Sequence, residues 1–308
     1  MIARPKMSQN EWKPTEIRGF KKLANLSPLS RPGGHLAAVD VLVARGADVA
    51  KKHLHGGSAF LEAATAGSVA VMERLRGLGA DPLVVDDDGV TALMSAASQG
   101  MADATAYLLN DVPGTRLDLA AQSGGTALMF AAAGGHLAAL KLTIDAGGDV
   151  NKKVVGTEAY VAQVAAQLAE GKEDVEPHKD DVTALQVAAQ GGHLACVELL
   201  LDSGADPRPV DEEGMSALAN AVAGNHGDCA YALVDRGADP DDRGYVDGDA
   251  VEHNLLWDAI NARNEAFATL LLAKGAAVDY ADAKGVGLVL AAAHKGLNAT
   301  VEARAGKG

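Results

Sequence analysis

Aromatic residues, cysteines and long apolar runs are all scarce in this sequence of 308 residues. Phe, Trp and Tyr make up only 4% although hydrophobic residues reach 48%, so the apolar content is mostly Ala, Leu and Val. That composition favours closely packed helices over a core of large side chains. No run approaches the roughly 18 consecutive apolar residues of a membrane-spanning helix, so we expect no transmembrane segment. The first residues also lack the apolar stretch of a secretory signal.

The only cysteines are Cys196 and Cys229, too few for a disulfide framework. Such sparse usage is typical of an intracellular, reducing compartment. We expect the cytoplasm, with an organelle interior such as a plastid or mitochondrion as the alternative.

Catalytic motifs are missing as well. The sequence contains no G-x-S-x-G, no H-E-x-x-H and no phosphate-binding G-x-x-x-x-G-K-[ST]. Its paired carboxylates, such as Asp86-Asp87-Asp88 and Asp211-Glu212-Glu213, fall in turn-like segments where solvated side chains are the default. His53 and His55 form an H-x-H, but no Cys or His lies at a spacing that would complete a zinc site. We therefore predict no enzyme activity, no cofactor and no metal.

Charge is divided unevenly along the chain. Residues 1–32 carry a net +5 against −14 for the whole protein, which leaves −19 on residues 33–308. Nucleic-acid binding depends on neutralising phosphates with Lys and Arg, so the acidic body argues against it.

What the sequence does have is a repeat. Thr183 begins TALQVAAQGGHLACVELLLDSGAD, and Thr126 begins the near-copy TALMFAAAGGHLAALKLTIDAGGD. Units start near residues 25, 58, 91, 126, 183, 216, 254 and 287; from residue 58 onward their spacings are 33, 35, 57, 33, 38 and 33. The opening Ser or Thr predicts a helix N-cap. A glycine at the tenth position, such as Gly135 or Gly192, predicts the end of that first helix. Val and Leu at helical spacing then predict a second helix that ends at a G-A-D turn.

These residues closely resemble the ankyrin repeat family over roughly residues 25–308. The family's Pro and His near the start of the unit are replaced, for example by Ala184 and Gln186, and we expect such changes to weaken individual caps. The resemblance implies an all-α solenoid of stacked helix pairs with hairpin-like fingers. It also implies that His35, His136, His193 and His226, which occupy the same position of their units, form hydrogen bonds that hold loops together. Because one helix pair cannot bury its apolar face alone, stacking must supply the continuous core.

The two cysteines occupy equivalent positions of neighbouring units. Adjacent helices pack about 8–10 Å apart, whereas disulfide-linked Cα atoms are usually within about 7 Å. We therefore predict two buried thiols without a disulfide.

The N-terminal segment, residues 1–32, departs from the pattern. Pro28 and Pro32 disfavour a regular first helix there. Trp12 and Phe20 are interleaved with basic residues, and such side chains are unusual in water. The segment is either an irregular cap on the first repeat or an arm that contacts an acidic partner or a membrane surface.

The 57-residue spacing holds a second departure, an insert at about residues 151–180. Thr157 can cap a helix in which Tyr160, Val164 and Leu168 share one face. That face either packs back on the repeats or docks a partner.

The acidic clusters recur once per unit and would line one edge of the solenoid. In the ankyrin family, contacts with partners come from finger tips and the ends of the first helices. Carried over to this sequence, the partner-binding residues are His55, Asp87, Asp88, Ser98, Gln99, Gln122, Ser123, Lys179, Asp180, Gln190, Glu212, Glu213, His294 and Lys295, with Trp12, Phe20, Tyr160, Val164 and Leu168 from the arm and the insert.

The sequence thus predicts a non-enzymatic scaffold that binds a basic protein surface through its acidic finger face. One alternative is a structural or linker subunit of a large multiprotein assembly, including one peripherally associated with a membrane complex. The other is an adaptor or holding chaperone for a basic client.

Overall fold

A computed structural model describes residues 35–157, 161, 181–212, 214–224, 226–241, 254–261, 263–281 and 285–296. These ranges contain fourteen helices. In chain order they are α1 (His35–Ala44), α2 (Ala59–Thr65), α3 (Val69–Gly77), α4 (Ala92–Ser98), α5 (Ala102–Asp111), α6 (Ala127–Ala133), α7 (Leu137–Asp145), α8 (Ala184–Gln190), α9 (Leu194–Asp202), α10 (Ala217–Ala223), α11 (Gly227–Asp235), α12 (Leu255–Asn261), α13 (Glu265–Ala273) and α14 (Leu288–Lys295).

Side-chain caps define where the first helix of most units begins. The hydroxyl of Thr126 accepts a hydrogen bond from the Met129 N–H at 3.4 Å, and Ser216 accepts one from the Ala219 N–H at 3.1 Å. Each hydroxyl satisfies a backbone donor that has no partner within the helix. The cap predicted from the opening Ser or Thr is confirmed in α2, α4, α6, α8 and α10.

Gln186 contributes to its cap instead of weakening it. Its Oε1 accepts from the Thr183 N–H at 2.7 Å, while the Thr183 hydroxyl accepts from the Gln186 N–H at 3.4 Å. The side-chain amide of Gln186 also donates to the Met215 backbone oxygen at 2.6 Å. The expectation of a weakened cap was wrong here because glutamine supplies both an acceptor for its own cap and a donor for the next unit.

The helices form two layers. The short first helices α2, α4, α6, α8 and α10 stack in that order, and α12 stacks on α14. The second helices α1, α3, α5, α7, α9, α11 and α13 form the other layer, each in contact with the next. In every complete pair the first helix also packs against the second. The predicted all-α solenoid of stacked helix pairs is therefore confirmed.

Alanine sets the spacing of the first layer. Each of α2, α4, α6 and α8 presents two consecutive buried alanines to its neighbours, as Ala96 and Ala97 do in α4. Larger apolar side chains come from both layers, such as Phe60 and Leu93 from first helices and Leu200 from a second helix. Since small side chains let helices approach closely, the scarcity of aromatic residues matches this core.

The long insert leaves the stacking intact. Helices α6 and α8 pack together although their opening caps, Thr126 and Thr183, are 57 residues apart. Asn151 strengthens the junction: its side-chain amide donates to the Gly204 oxygen at 3.1 Å, and its Oδ1 accepts from the Asp206 N–H at 2.8 Å. The solenoid therefore continues from α6 to α8 across the insert.

Several sequence-based predictions lie outside the described residues. They are the arm with Trp12 and Phe20, and the insert face formed by Tyr160, Val164 and Leu168. Val161, which the structure does describe, is helical and donates its N–H to the Thr157 oxygen at 3.0 Å.

Candidate partner-binding surface

Hairpin-like loops project between consecutive units, and we call five of them, which lie wholly or largely within the described residues, fingers 1 to 5. Fingers 1, 2, 3 and 5 are residues 51–57, 84–90, 119–125 and 209–215; finger 4 is formed by residues 152–157 and 181–182. Each is closed by a backbone hydrogen bond at its base, such as His53 N–H to the Gly57 oxygen at 2.9 Å and Ala121 N–H to the Gly125 oxygen at 2.9 Å. The fingers therefore hold their tips in a fixed conformation.

Neighbouring finger tips are joined to one another by backbone hydrogen bonds. The Asp87 N–H donates to the His55 oxygen at 3.2 Å, and the Gln122 N–H donates to the Asp88 oxygen at 2.9 Å. The Thr157 N–H in turn donates to the Gln122 oxygen at 2.9 Å. Fingers 1 to 4 thus form one connected edge, and the side chains at their tips keep fixed positions relative to each other.

The close contact between fingers 3 and 4 depends on a glycine. Gly124 has a φ of +81°, and a Cβ at this position would meet the backbone of Val155 at about 2.5 Å. Any side chain would push the two fingers apart.

Acidic side chains are exposed at two of the tips. Asp87 and Asp88 are exposed on finger 2, and Glu212 is exposed on finger 5. Within the described ranges none of these three carboxylates pairs with a lysine or arginine. The tips therefore present unneutralised negative charge to solvent.

The first aspartate of finger 2 serves the fold. Asp86 is half-buried, and its Oδ1 accepts from the Asp88 and Val90 N–H groups at 3.0 and 2.8 Å. Burial raises the pKa of Asp86, and the charges of Asp88 and Asp87 raise it further against the effect of those hydrogen bonds. The three carboxylates repel one another, so a cation placed at this tip would be stabilised.

The acidic edge is not continuous. Finger 1 carries Lys52, whose Nζ donates to the Val85 oxygen at 3.3 Å, and finger 4 carries Lys152, whose Nζ donates to the Asp118 oxygen at 2.8 Å. Gln122 and Ser123, which are polar but uncharged, form the tip of finger 3. Negative charge is therefore concentrated at fingers 2 and 5.

The fingers also carry exposed apolar side chains that were not predicted from the sequence. Leu54 on finger 1 is 90% exposed and Val155 on finger 4 is 65% exposed. Val85 and Val210, at the bases of fingers 2 and 5, are exposed as well. Alignment of the fingers on Gly56, which bends the tip of finger 1, would have placed Leu54 at the position of Asp87. The surface thus offers apolar groups beside acidic ones.

The predicted positions on the first helices have different environments. Gln99 and Gln190 are half-buried at the C-terminal ends of α4 and α8, and His294 is exposed on α14, beside a half-buried Lys295. The prediction that Ser98 offers its side chain to a partner is corrected. Ser98 is buried, and its hydroxyl donates to the Ser95 oxygen of its own helix at 2.9 Å. Lys179, Asp180 and Glu213 lie outside the described residues.

Two of the repeated histidines, His136 and His193, have the structural role that the family resemblance implies. His136 donates through Nε2 to the Ser98 oxygen at 2.9 Å, and His193 donates to the Ala133 oxygen at 3.0 Å. Each ring crosses from its own unit to the end of the preceding first helix. These two histidines therefore connect neighbouring units.

The cysteines are free and buried, as predicted. Burial raises the pKa of Cys196 and of Cys229 to about 11. In the part of the chain that the structure describes, no group of three His, Cys, Asp or Glu side chains is placed to hold a metal ion, and no helix is long and apolar enough to cross a membrane.

Comparison with known proteins agrees with this architecture. The family model for ankyrin repeats in three copies matches residues 60–154 and 158–244, more than half of the chain. The chain belongs to the ankyrin repeat family. Proteins of this family are interaction modules that are typically non-enzymatic.

Two individual proteins illustrate the similarity. The ankyrin repeat and KH domain-containing protein mask-1 of Caenorhabditis elegans is 33% identical over 132 residues, which are 39% of this chain and 5% of that protein. This chain therefore corresponds to a small part of that relative. The crystal structure of the human ASB11 ankyrin repeat domain matches with a TM-score of 0.58 and 21% identity, covering 80% of this chain and 98% of that domain. At this identity the structural match supports the fold alone.

Proposed function

We propose that this protein is a binding scaffold whose finger tips recognise a protein surface that carries basic groups beside apolar ones. The observation that carries the proposal is the exposed pair Asp87 and Asp88, held at the tip of finger 2 without a basic partner in the described residues. Binding requires no chemical step, since a rigid frame and complementary side chains are sufficient.

Charge supports the basic character of the partner. Burial is the main cause of the raised pKa of Asp86, and the charges of Asp88 and Asp87 raise it further. A lysine or arginine that approaches Asp87 and Asp88 relieves this repulsion. Glu212 supplies negative charge at a second point, three fingers away. Charges at separate points favour one orientation of the partner and reject acidic surfaces.

Preorganisation supports the finger tips as the contact. The bonds from Asp87 to His55 and from Gln122 to Asp88 fix the backbone of the tips before any partner arrives. A fixed surface loses less conformational entropy on binding than a mobile loop. Leu54 and Val155, exposed on the same edge, provide apolar area that a partner can cover.

The proposal is tested by affinity capture from cell lysate, followed by binding measurements with the captured protein. The variant Asp87→Asn/Asp88→Asn should weaken binding by about three- to tenfold, and adding Glu212→Gln should weaken it further. Raising the salt from about 50 to 300 mM should weaken the wild type more than the variant, because screening acts on charges that the variant lacks.

The matched control is Asp103→Asn/Glu198→Gln, which removes two exposed carboxylates from the second helices. This control should bind like the wild type. Equal affinity of the finger variant and the wild type at both salt concentrations would contradict the proposal.

A further inference from the structure

The first described helix, α1, has an open core face. Its register is fixed by the turn that follows it, in which the Ala47 N–H donates to the Leu42 oxygen at 3.0 Å. The same bond joins Ala80 to Leu75 after α3 and Ala205 to Leu200 after α9, at 3.0 and 2.9 Å. Leu42 is therefore equivalent to the residue that each later second helix places in the core.

The side chain at this position is exposed in α1 and buried in the other described second helices. The equivalent residues are at most 3% exposed; they are Leu75, Leu108, Thr143, Leu200, Leu233 and Leu271. Leu42 is 58% exposed. One turn earlier, Ala38 is exposed, although its counterparts Cys196 and Cys229 are buried. A face that is core in the other units is thus open in the first.

Among the described residues, this unit has a second helix but no first helix. In later units the first helix packs on the second helix of its own pair, as α2 does on α3. Among the described helices α1 packs chiefly on α3, and Asp40 accepts a hydrogen bond from the Arg74 guanidinium at 2.5 Å. The open face is the one that a preceding segment of the chain would cover.

We propose that residues 1–34 cover this face in cis, with Phe20, Leu23 and Leu26 packed against Leu42 and Ala38. These residues are tethered directly to α1, and tethering gives a segment a high effective concentration at its site. Leu42 lies seven residues into α1, about 10 Å from its start, which an extended chain spans in about three to four residues. Leu26 is therefore within reach of Leu42.

The sequence of the segment fits an apolar cover that is not a regular helix. Pro28 and Pro32 interrupt the place where the first helix of the unit would be, so the cover must differ from α2 and the other first helices. Its aromatic and aliphatic residues are otherwise difficult to explain in a chain with only 4% aromatic content. A solenoid also needs a terminal element that shields its last apolar face.

Amide hydrogen exchange of the purified full chain tests the proposal. Amides of α1 should be protected in the wild type, and Phe20→Ser/Leu26→Ser should speed their exchange by about tenfold or more. Exchange in α13 should stay the same, which distinguishes a lost cover from general destabilisation. The control Leu137→Ser removes a leucine that is already exposed on α7 and should leave α1 unchanged.

Three results would overturn the proposal. Unprotected α1 amides in the purified wild type would show that the face is open and awaits another protein. Protection that rises with concentration between about 1 and 100 μM would show that a second copy covers it. Protected amides that are insensitive to the double substitution would show that these apolar residues do not form the cover.

Discussion

The imidazole Nε2 of His193 lies 3.0 Å from the backbone oxygen of Ala133, a residue 60 positions earlier in the chain. Between them lies the long insert, which the solenoid accommodates without losing this contact. His136 makes the same bond to Ser98 across 38 positions. These histidine hydrogen bonds thus connect neighbouring units, whatever the number of residues between them.

Removing the hydrogen bond between His193 and Ala133 should destabilise the fold. His193→Ala leaves the Ala133 carbonyl without its donor in a half-buried site, and we expect the free energy of unfolding to fall by about 1–3 kcal/mol. Urea denaturation followed by circular dichroism measures the change. His55→Ala, which removes an exposed histidine from a finger tip, is the control and should cost much less. An equal decrease in the free energy of unfolding for the two variants would argue against a stabilising hydrogen bond.

The same histidine should make stability depend on pH. Burial lowers the pKa of His193, as do the nearby charges of His136 and His226, although its bond to Ala133 acts in the opposite direction. The unfolded chain therefore takes up a proton near its ordinary pKa of about 6.5, whereas the folded chain takes it up only at lower pH. Stability from this residue is complete above about pH 6.5 and is lost as the pH falls through the folded pKa.

Denaturation of the wild type and of His193→Gln between about pH 7.5 and 5 isolates that contribution. The stability advantage of the wild type should shrink as the pH falls. A constant or growing advantage would show that the pKa is not lowered in the folded protein.

Truncating the side chain of Gln186 should lower the stability of the fold substantially. Gln186→Ala removes the acceptor of the Thr183 N–H and the donor to the Met215 oxygen, both of them buried. We expect a loss of about 2–4 kcal/mol, since two buried groups lose their partners and a small cavity remains. Thermal unfolding compares this variant with Gln190→Ala, a half-buried glutamine at the end of the same helix. Similar melting temperatures for the two variants would contradict the assigned role.

The two thiols should be inert in the folded protein. With a pKa of about 11, Cys196 and Cys229 are almost entirely protonated at pH 8, and both are buried. A thiol-reactive disulfide reagent should label neither residue in the native state and both in concentrated urea. Fast labelling of one cysteine before unfolding would show that its helix opens locally.

The periodic residues of this chain were sufficient to predict the architecture. Thr126 and Ser216 mark helix starts because a hydroxyl can accept a backbone N–H wherever a helix begins. His193 was assigned to loop bonding on the family resemblance alone, and the structure agrees. Gln186 could not be interpreted in this way, because its second partner, Met215, is 29 residues away.

The candidate surface was only partly predictable. Asp87, Asp88 and Glu212 were found because runs of acidic residues in turn segments are visible in the sequence, although the expected recurrence in every unit was wrong: fingers 1 and 3 carry none. Leu54 and Val155 were overlooked because an isolated apolar residue in a turn gives no periodic signal. Ser98 was assigned to the surface by position, whereas its actual burial depends on the way α4 packs against its neighbours.

The sequence by itself determined the stacked helix pairs, since caps, turn glycines and apolar spacing act through local backbone preferences that need no distant partner. Only the tertiary structure decided which side chains are open. The equivalent residues Leu42 and Leu200 have the same side chain and the same turn after them, yet one is exposed and the other buried. Burial depends on what packs alongside, and that is a property of the assembled layers.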